Sequence, residues 1–151
     1  MRSLSERAIT LCMIVTCVII ALDPIEEANN HLGETAVKEA RAALGRPYRF
    51  SGSGPREFDC SGLVRYCYQA EGLDLPHGTT ELMRIARVVQ LQHLRKGDLL
   101  FFRENGRDYS HVGIYAGGEE FIHAASTTGA VRIDSLLDPY WKERFLDARR
   151  F

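Results

Sequence analysis

The chain is short of several things, and each shortage removes a class of function. It carries 19 Lys and Arg against 20 Asp and Glu, a formal net charge of -1, with no local run of basic residues. Without a basic field nothing neutralises a phosphate backbone, so no nucleic-acid partner is expected. There is no internal repeat and no low-complexity tract. At 151 residues, 45% of them hydrophobic, the chain suffices for one packed core and is too short for two. A monomeric single domain is expected.

Cysteine is scarce as well, with four in the chain, and Cys12 and Cys17 fall in an N-terminal stretch unlike the rest. Arg2 and Arg7 flank a short polar start, and Ala8 to Leu22 is almost wholly apolar. This is the basic-then-hydrophobic order of a signal peptide. At about 15 residues the run falls short of the roughly 20 that span a bilayer, so an uncleaved membrane anchor is the weaker alternative. Lipidation of Cys17 ranks behind cleavage, because Ile14-Val15-Thr16 puts a bulky residue where a small one is required. Residues 1–22 therefore predict export to the periplasm or cell envelope, and any membrane contact falls to this segment. Residues 23–33 are polar and unpatterned and read as a tether, His31 included, leaving 34–151 as the domain.

Only Cys60 and Cys67 remain in the domain, and an exported pair of cysteines usually signals a disulfide. Their spacing on one predicted helix, Cys60 to about Glu71, forbids it. Seven residues at 1.5 Å set the Cα atoms about 10 Å apart, beyond disulfide reach. Both thiols are expected free. Cys67, between Tyr66 and Tyr68, reads as a small buried apolar residue. Cys60 follows Asp59, a strong N-cap, so it opens the helix, where unpaired amides and the macrodipole favour a thiolate while the Asp59 charge opposes it.

Elsewhere the pattern is helical first and extended later. Ala36, Val37, Ala40 and Leu44 fall at helical spacing and stop at Gly45, and Glu81 to Val88 predicts another short helix. Between them, residues 45–58 form a Gly- and Pro-rich loop carrying Tyr48, Phe50 and Phe58. From Leu99 on, short runs over 99–102, 112–116, 120–124, 131–134 and 145–149 predict an antiparallel sheet. Segregated helices and strands make the fold class α+β, N-terminal helices packed on a C-terminal antiparallel sheet. His77 and His93 lie in loops and read as surface residues, with a role at the substrate's edge as the alternative for His77.

Ser110 to Tyr115 and Phe121 to Ala124 form a hairpin around Ala116-Gly117-Gly118. A turn centred on Gly117 sets His111 directly opposite His123, on one face, with Val112, Ile114, Ile122 and Ala124 on the other. A cysteine, a histidine and a polar group orienting that histidine are the parts of a thiol nucleophile, with His111 holding the Cys60 thiolate as an ion pair. The same three residues also fit a structural reading, with satisfied sheet histidines and a helix-end cysteine, or a zinc site.

Five segments in series resemble one family: Phe58-Asp59-Cys60-Ser61-Gly62-Leu63-Val64, Lys96 to Phe102, Ser110 to Tyr115, Phe121 to Ala124, and Pro139-Tyr140-Trp141-Lys142 with Ala148-Arg149-Arg150. They are similar to the NlpC-type cysteine peptidases of bacterial peptidoglycan, and within them to murein endopeptidases of the Spr (MepS) type. The resemblance implies a papain-like fold and a cell-wall hydrolase that cleaves amide bonds in peptidoglycan stem peptides or crosslinks, without metal or cofactor. It places the nucleophile on Cys60, the base on His111 and the orienting residue on His123. Tyr48 matches the oxyanion tyrosine, and Asp59 and Ser61 match substrate-binding positions. The chain departs from the family at Ser51, where many members have glycine, and at Leu82, where they have glutamine. A non-catalytic peptidoglycan-binding protein, or an amidase or acyltransferase on the same scaffold, are the alternatives.

Overall fold

Leu99 to Phe102 are four consecutive apolar residues, and all four are buried. A strand with both sides apolar needs a sheet covered on both faces. The computed structural model of the protein, which describes residues 24–151, has that arrangement. The elements are α1 (Pro24–Ala42), α2 (Cys60–Gln69), α3 (Thr79–Ile85), β1 (Arg87–Val89), β2 (Leu99–Glu104), β3 (Arg107–Gly117), β4 (Glu120–Ala125), β5 (Ala130–Ser135), α4 (Pro139–Arg144) and β6 (Phe145–Arg150). The strands make one antiparallel sheet in the order β1-β6-β2-β3-β4-β5. On one face Phe101, Val112, Ile114 and Ile122 pack with Ala36 and Ala40 of α1 and Leu63, Val64 and Cys67 of α2. On the other, Leu100, Phe102 and Phe121 pack around Trp141 of α4. The α+β class is the predicted one.

Three local expectations are corrected, and one helix was not foreseen. The tether is helical from Pro24 on, continuous with the predicted helix. Its polar residues are matched by distant ones: Arg95 reaches Glu26 and Asn30, and Lys96 reaches Glu34. Gly33 lets α1 lie on the chain at Lys96, whose carbonyl oxygen would stand 2.1 Å from any Cβ there. The signal-peptide reading of residues 1–22 lies outside the described residues, among which no helix is long and apolar enough to cross a membrane.

The helix predicted to reach Val88 ends at Ile85, because Val88 and Val89 pair with Arg149 and Ala148 as an edge strand. Arg149 also donates to the carbonyls of Met83 and Ala86, which ties the end of α3 to β6. A fourth helix, α4, starts at Pro139, where the Asp138 carboxylate caps the Tyr140 amide. The hairpin register is the last correction. Gly118 (φ 59°) and Glu119 (φ 67°) form a two-residue turn closed by Gly117 and Glu120, with a bulge at Ala116. Two central residues with positive φ match the right-handed twist of the flanking strands. Ile114 therefore faces Ile122, two residues from the predicted register. A slip of two keeps every side chain on its predicted face.

Candidate active site

Asp59 caps α2 as its sequence position predicts, with its Oδ1 accepting the Gly62 amide at 2.7 Å. Cys60 is therefore the first helical residue. The loop before it is pressed onto that first turn: the Gly52 carbonyl accepts the Asp59 amide at 2.8 Å and would lie 1.9 Å from a Cβ on Gly62. The other end of the loop is held by Tyr48, whose amide donates to the Gly129 carbonyl at 2.8 Å. Nucleophile and loop thus share one rigid support. The Cys60 thiol is partly exposed, and its Sγ lies 3.7 Å from Thr79 Oγ1 at the start of α3. Burial pushes its pKa up, as does the Asp59 charge, while Thr79 and the amides of Val112 and Ser61 pull it down. The net direction is up, which favours the thiol. Cys67 is buried, and burial pushes its pKa far up, so it is inert.

His111 and His123 meet although they are not directly opposed. Continuing the observed register places Gly113 opposite His123, and a Cβ on Gly113 would stand 2.6 Å from the Phe121 ring and 3.3 Å from the His123 Cβ. With no side chain at 113, the two rings approach diagonally, His111 Nε2 to His123 Nδ1 at 2.8 Å and nearly perpendicular. Behind them His123 Nε2 lies 2.9 Å from Asp134 Oδ2, which also accepts Trp141 Nε1 at 3.1 Å. The Trp141 ring stacks on His111.

Charge fixes the protons along this chain of groups. Burial raises the Asp134 pKa, but the hydrogen bond and charge of His123, Arg132 and the Trp141 donor outweigh it, and the net shift is down. Asp134 is thus an ionised acceptor, so His123 Nε2 carries a hydrogen, and in the neutral ring its Nδ1 is a lone pair. That lone pair accepts from His111 Nε2. His111 Nδ1 is left bare, facing Glu104 Oε2 at 3.3 Å on the cleft side. Burial, then His123, push the His111 pKa well below its ordinary value against an upward pull from Asp134. Desolvation thus favours the neutral form of each group taken singly.

Cys60, His111, Tyr48, Asp59 and Ser61 all line one cleft of about 420 Å³, and His123 lies buried behind His111. All six residues picked from the sequence are thus brought to one place. Burial and the charges of Cys60, Asp59 and Glu104 push the Tyr48 pKa up, so its hydroxyl stays protonated and able to donate. His77, read as a surface residue, is in the cleft wall, with Nε2 2.9 and 3.0 Å from the two Asp59 oxygens. Sequence reasoning also passed over Thr79, Glu104 and Asp134. Among the described residues no group of three or more His, Cys, Asp and Glu side chains is arranged to hold a metal ion. A second hollow of about 420 Å³, between Leu91, Leu94, Leu136, Leu137 and Phe145, is mostly apolar, with Glu119 and Lys142 also in its lining.

Residues 45–150 match the NlpC/P60 family. The chain is similar to the murein DD-endopeptidase/murein LD-carboxypeptidase MepS of Escherichia coli K12, with 42% identity over 104 residues, 68% of this chain and 54% of that protein. It is similar to the murein DD-endopeptidase MepH of the same strain, with 38% identity over 122 residues, 78% of this chain and 45% of that protein. The chain thus spans about half the length of these curated relatives. The crystal structure of an NlpC/P60 family protein from Bacillus cereus has the same fold, with a TM-score of 0.74 at 30% identity over 79% of this chain and 40% of that one. Since the matched span holds the cleft, the cysteine at the helix start and both histidines, the chain belongs to the NlpC/P60 family.

Proposed function

We propose that the protein is a cysteine endopeptidase of the cell envelope that hydrolyses amide bonds in peptidoglycan stem peptides or crosslinks. The observation that carries this reading is a partly exposed thiol at a helix start, sharing a cleft with an imidazole whose free nitrogen faces that cleft. The relatives' names, murein DD-endopeptidase and murein LD-carboxypeptidase, support the substrate class. Any membrane contact falls to residues 1–22.

On this reading each group has a step. The Cys60 sulfur attacks the substrate carbonyl carbon while its proton passes to His111 Nδ1, the bare nitrogen. The oxyanion that forms is met by the Tyr48 hydroxyl and by free amides of the first turn of α2. As the C–N bond breaks, the leaving amine takes the proton from His111 and a thioester remains on Cys60. Water then attacks the thioester with His111 as base, and the thiol is restored. His123 and Asp134 keep the His111 ring in the required tautomer. Asp59 and Ser61, on the wall beside the nucleophile, orient the peptide. Purified sacculi incubated with the protein should release soluble muropeptides, and Cys60→Ala should release none. Digestion by the Cys60→Ala protein would overturn the assignment.

A further inference from the structure

The bare Nδ1 of His111 faces a carboxylate oxygen at 3.3 Å. Two bare acceptors at that distance repel, and a proton on Nδ1 turns the contact into a charge-assisted hydrogen bond. Glu104 is held in this position. A bulge between Phe102 and Glu104 turns the strand there. Ser110 Oγ accepts the Glu104 amide at 2.7 Å, and its one hydrogen is shared between the Arg107 carbonyl at 2.7 Å and the Glu104 carbonyl at 2.9 Å. The second carboxylate oxygen accepts the Tyr140 hydroxyl at 3.1 Å. The side chain is only 13% exposed. Arg107 pairs with Glu104 across the hairpin register, yet the carboxylate turns to His111, its one ion-pair partner among the described residues.

We propose that Glu104 is a positioning residue for the base, receiving the N–H of the His111 imidazolium that forms when Cys60 gives up its proton, and thereby setting the pH range of the reaction. This rests on Cys60 and His111 acting as nucleophile and base. The proton moves from Cys60 to His111 Nδ1 and then to the leaving amine. Glu104 only accepts a hydrogen bond from it in between.

The charged and titratable surroundings of His111 are few. His123 and behind it Asp134 stand on the Nε2 side. Cys60, Tyr48 and the Asp59–His77 pair stand across the cleft, with Arg107 on the hairpin. On α4, Tyr140 binds Glu104, and the Arg144 guanidinium lies over the Tyr140 ring at 3.8 Å. The ring faces of His111 meet Phe102 and Trp141, which carry no charge. Asp134 thus stands one ring further on, behind His123 on the Nε2 side, and Glu104 is the carboxylate beside Nδ1. An anion this close raises the pKa of a cation by about one to two pH units.

The test uses the full chain with Cys60→Ala, labelled with 15N-histidine, and follows the His111 ring by NMR as pH is varied. Glu104→Gln should lower the His111 midpoint by about one to two pH units. Glu104→Asp, which keeps the charge on a shorter arm, should restore at least half of the shift and serves as the second variant should the glutamine misfold. With Cys60 present, the limb of the kcat/KM profile that reports His111 should move the same way. A His111 titration curve unchanged by Glu104→Gln overturns the proposal. Because the NMR readout needs no substrate, it stands apart from the sacculus assay: failure of that assay with an intact shift would overturn the peptidase reading and leave the Glu104–His111 coupling standing.

Discussion

Replacing Asp134 by asparagine tests the histidine relay at its anchored end. The asparagine can place its oxygen in either carboxylate position, and the neighbours decide which. Oδ2 accepts from two groups fixed in the core, His123 Nε2 and Trp141 Nε1. Oδ1 accepts from Arg132, whose side chain is 45% exposed and can turn to water. The amide oxygen therefore takes the Oδ2 position and its NH2 displaces Arg132, so the tautomer of His123 is kept. Only the charge is lost. A hydrogen bond to an ionised acceptor contributes about 1.5–3 kcal/mol and a neutral one about 0.5–1.5. The relay then loses about 1–2 kcal/mol of its hold on the imidazolium, a fall in kcat of about 5- to 30-fold. Asp134 does not line the cleft, so KM should not move. Steady-state hydrolysis of purified muropeptides, read by product mass spectrometry, measures both constants. An unchanged kcat would show that the relay plays no part. A fall near 10⁴-fold, as when the tautomer of a triad histidine is reversed, would refute the orientation argument.

Three further outcomes follow from the geometry. Gly62→Ala puts a Cβ 1.9 Å from the Gly52 carbonyl, backbone against backbone, and should cost about 3 kcal/mol or more in urea unfolding; a variant of unchanged stability would mean the loop yields freely. His77→Ala leaves Asp59 to Ser61 and the Gly62 amide, and should raise KM several-fold with little change in kcat, whereas a pure kcat effect would place His77 in the chemistry. The His111 pKa is depressed in the folded protein, so the unfolded chain binds the proton first, below its ordinary pKa of about 6.5. The associated stability is present above that pH and is lost as pH falls, by up to about 1.4 kcal/mol per pH unit, with Asp134 adding its own loss below about pH 4. Melting curves between pH 7 and 5 should show the first slope, and His111→Asn should flatten it.

What was legible in the sequence was local. Asp59 before Cys60 announced a helix start, because capping depends on residues within one turn, and the structure keeps it. The strands were visible as runs of Val, Ile and Phe. The face shared by His111 and His123 was readable because alternation survives a slip of two residues, although the turn itself lay one position later than expected. What was hidden depends on partners distant in the chain. Glu104 and Asp134 look like ordinary polar residues toward the ends of strands until the sheet places them on either side of the histidines. The polar face of α1 had no meaning until Arg95 and Lys96 arrived beside it. His77 read as solvated because nothing near it in sequence hints at Asp59.

The position of β6 bears on how the protein is made. It follows every other strand in the sequence, yet it sits between β1 and β2, and through Arg149 it secures α3, the helix that carries the Thr79 contact to the sulfur. A ribosome that has released the chain only as far as α4 has made Cys60, His111 and His123 but not the strand that fills the middle of the sheet. Such a nascent chain leaves β1 and β2 unjoined, so the sheet closes only when the last strand emerges.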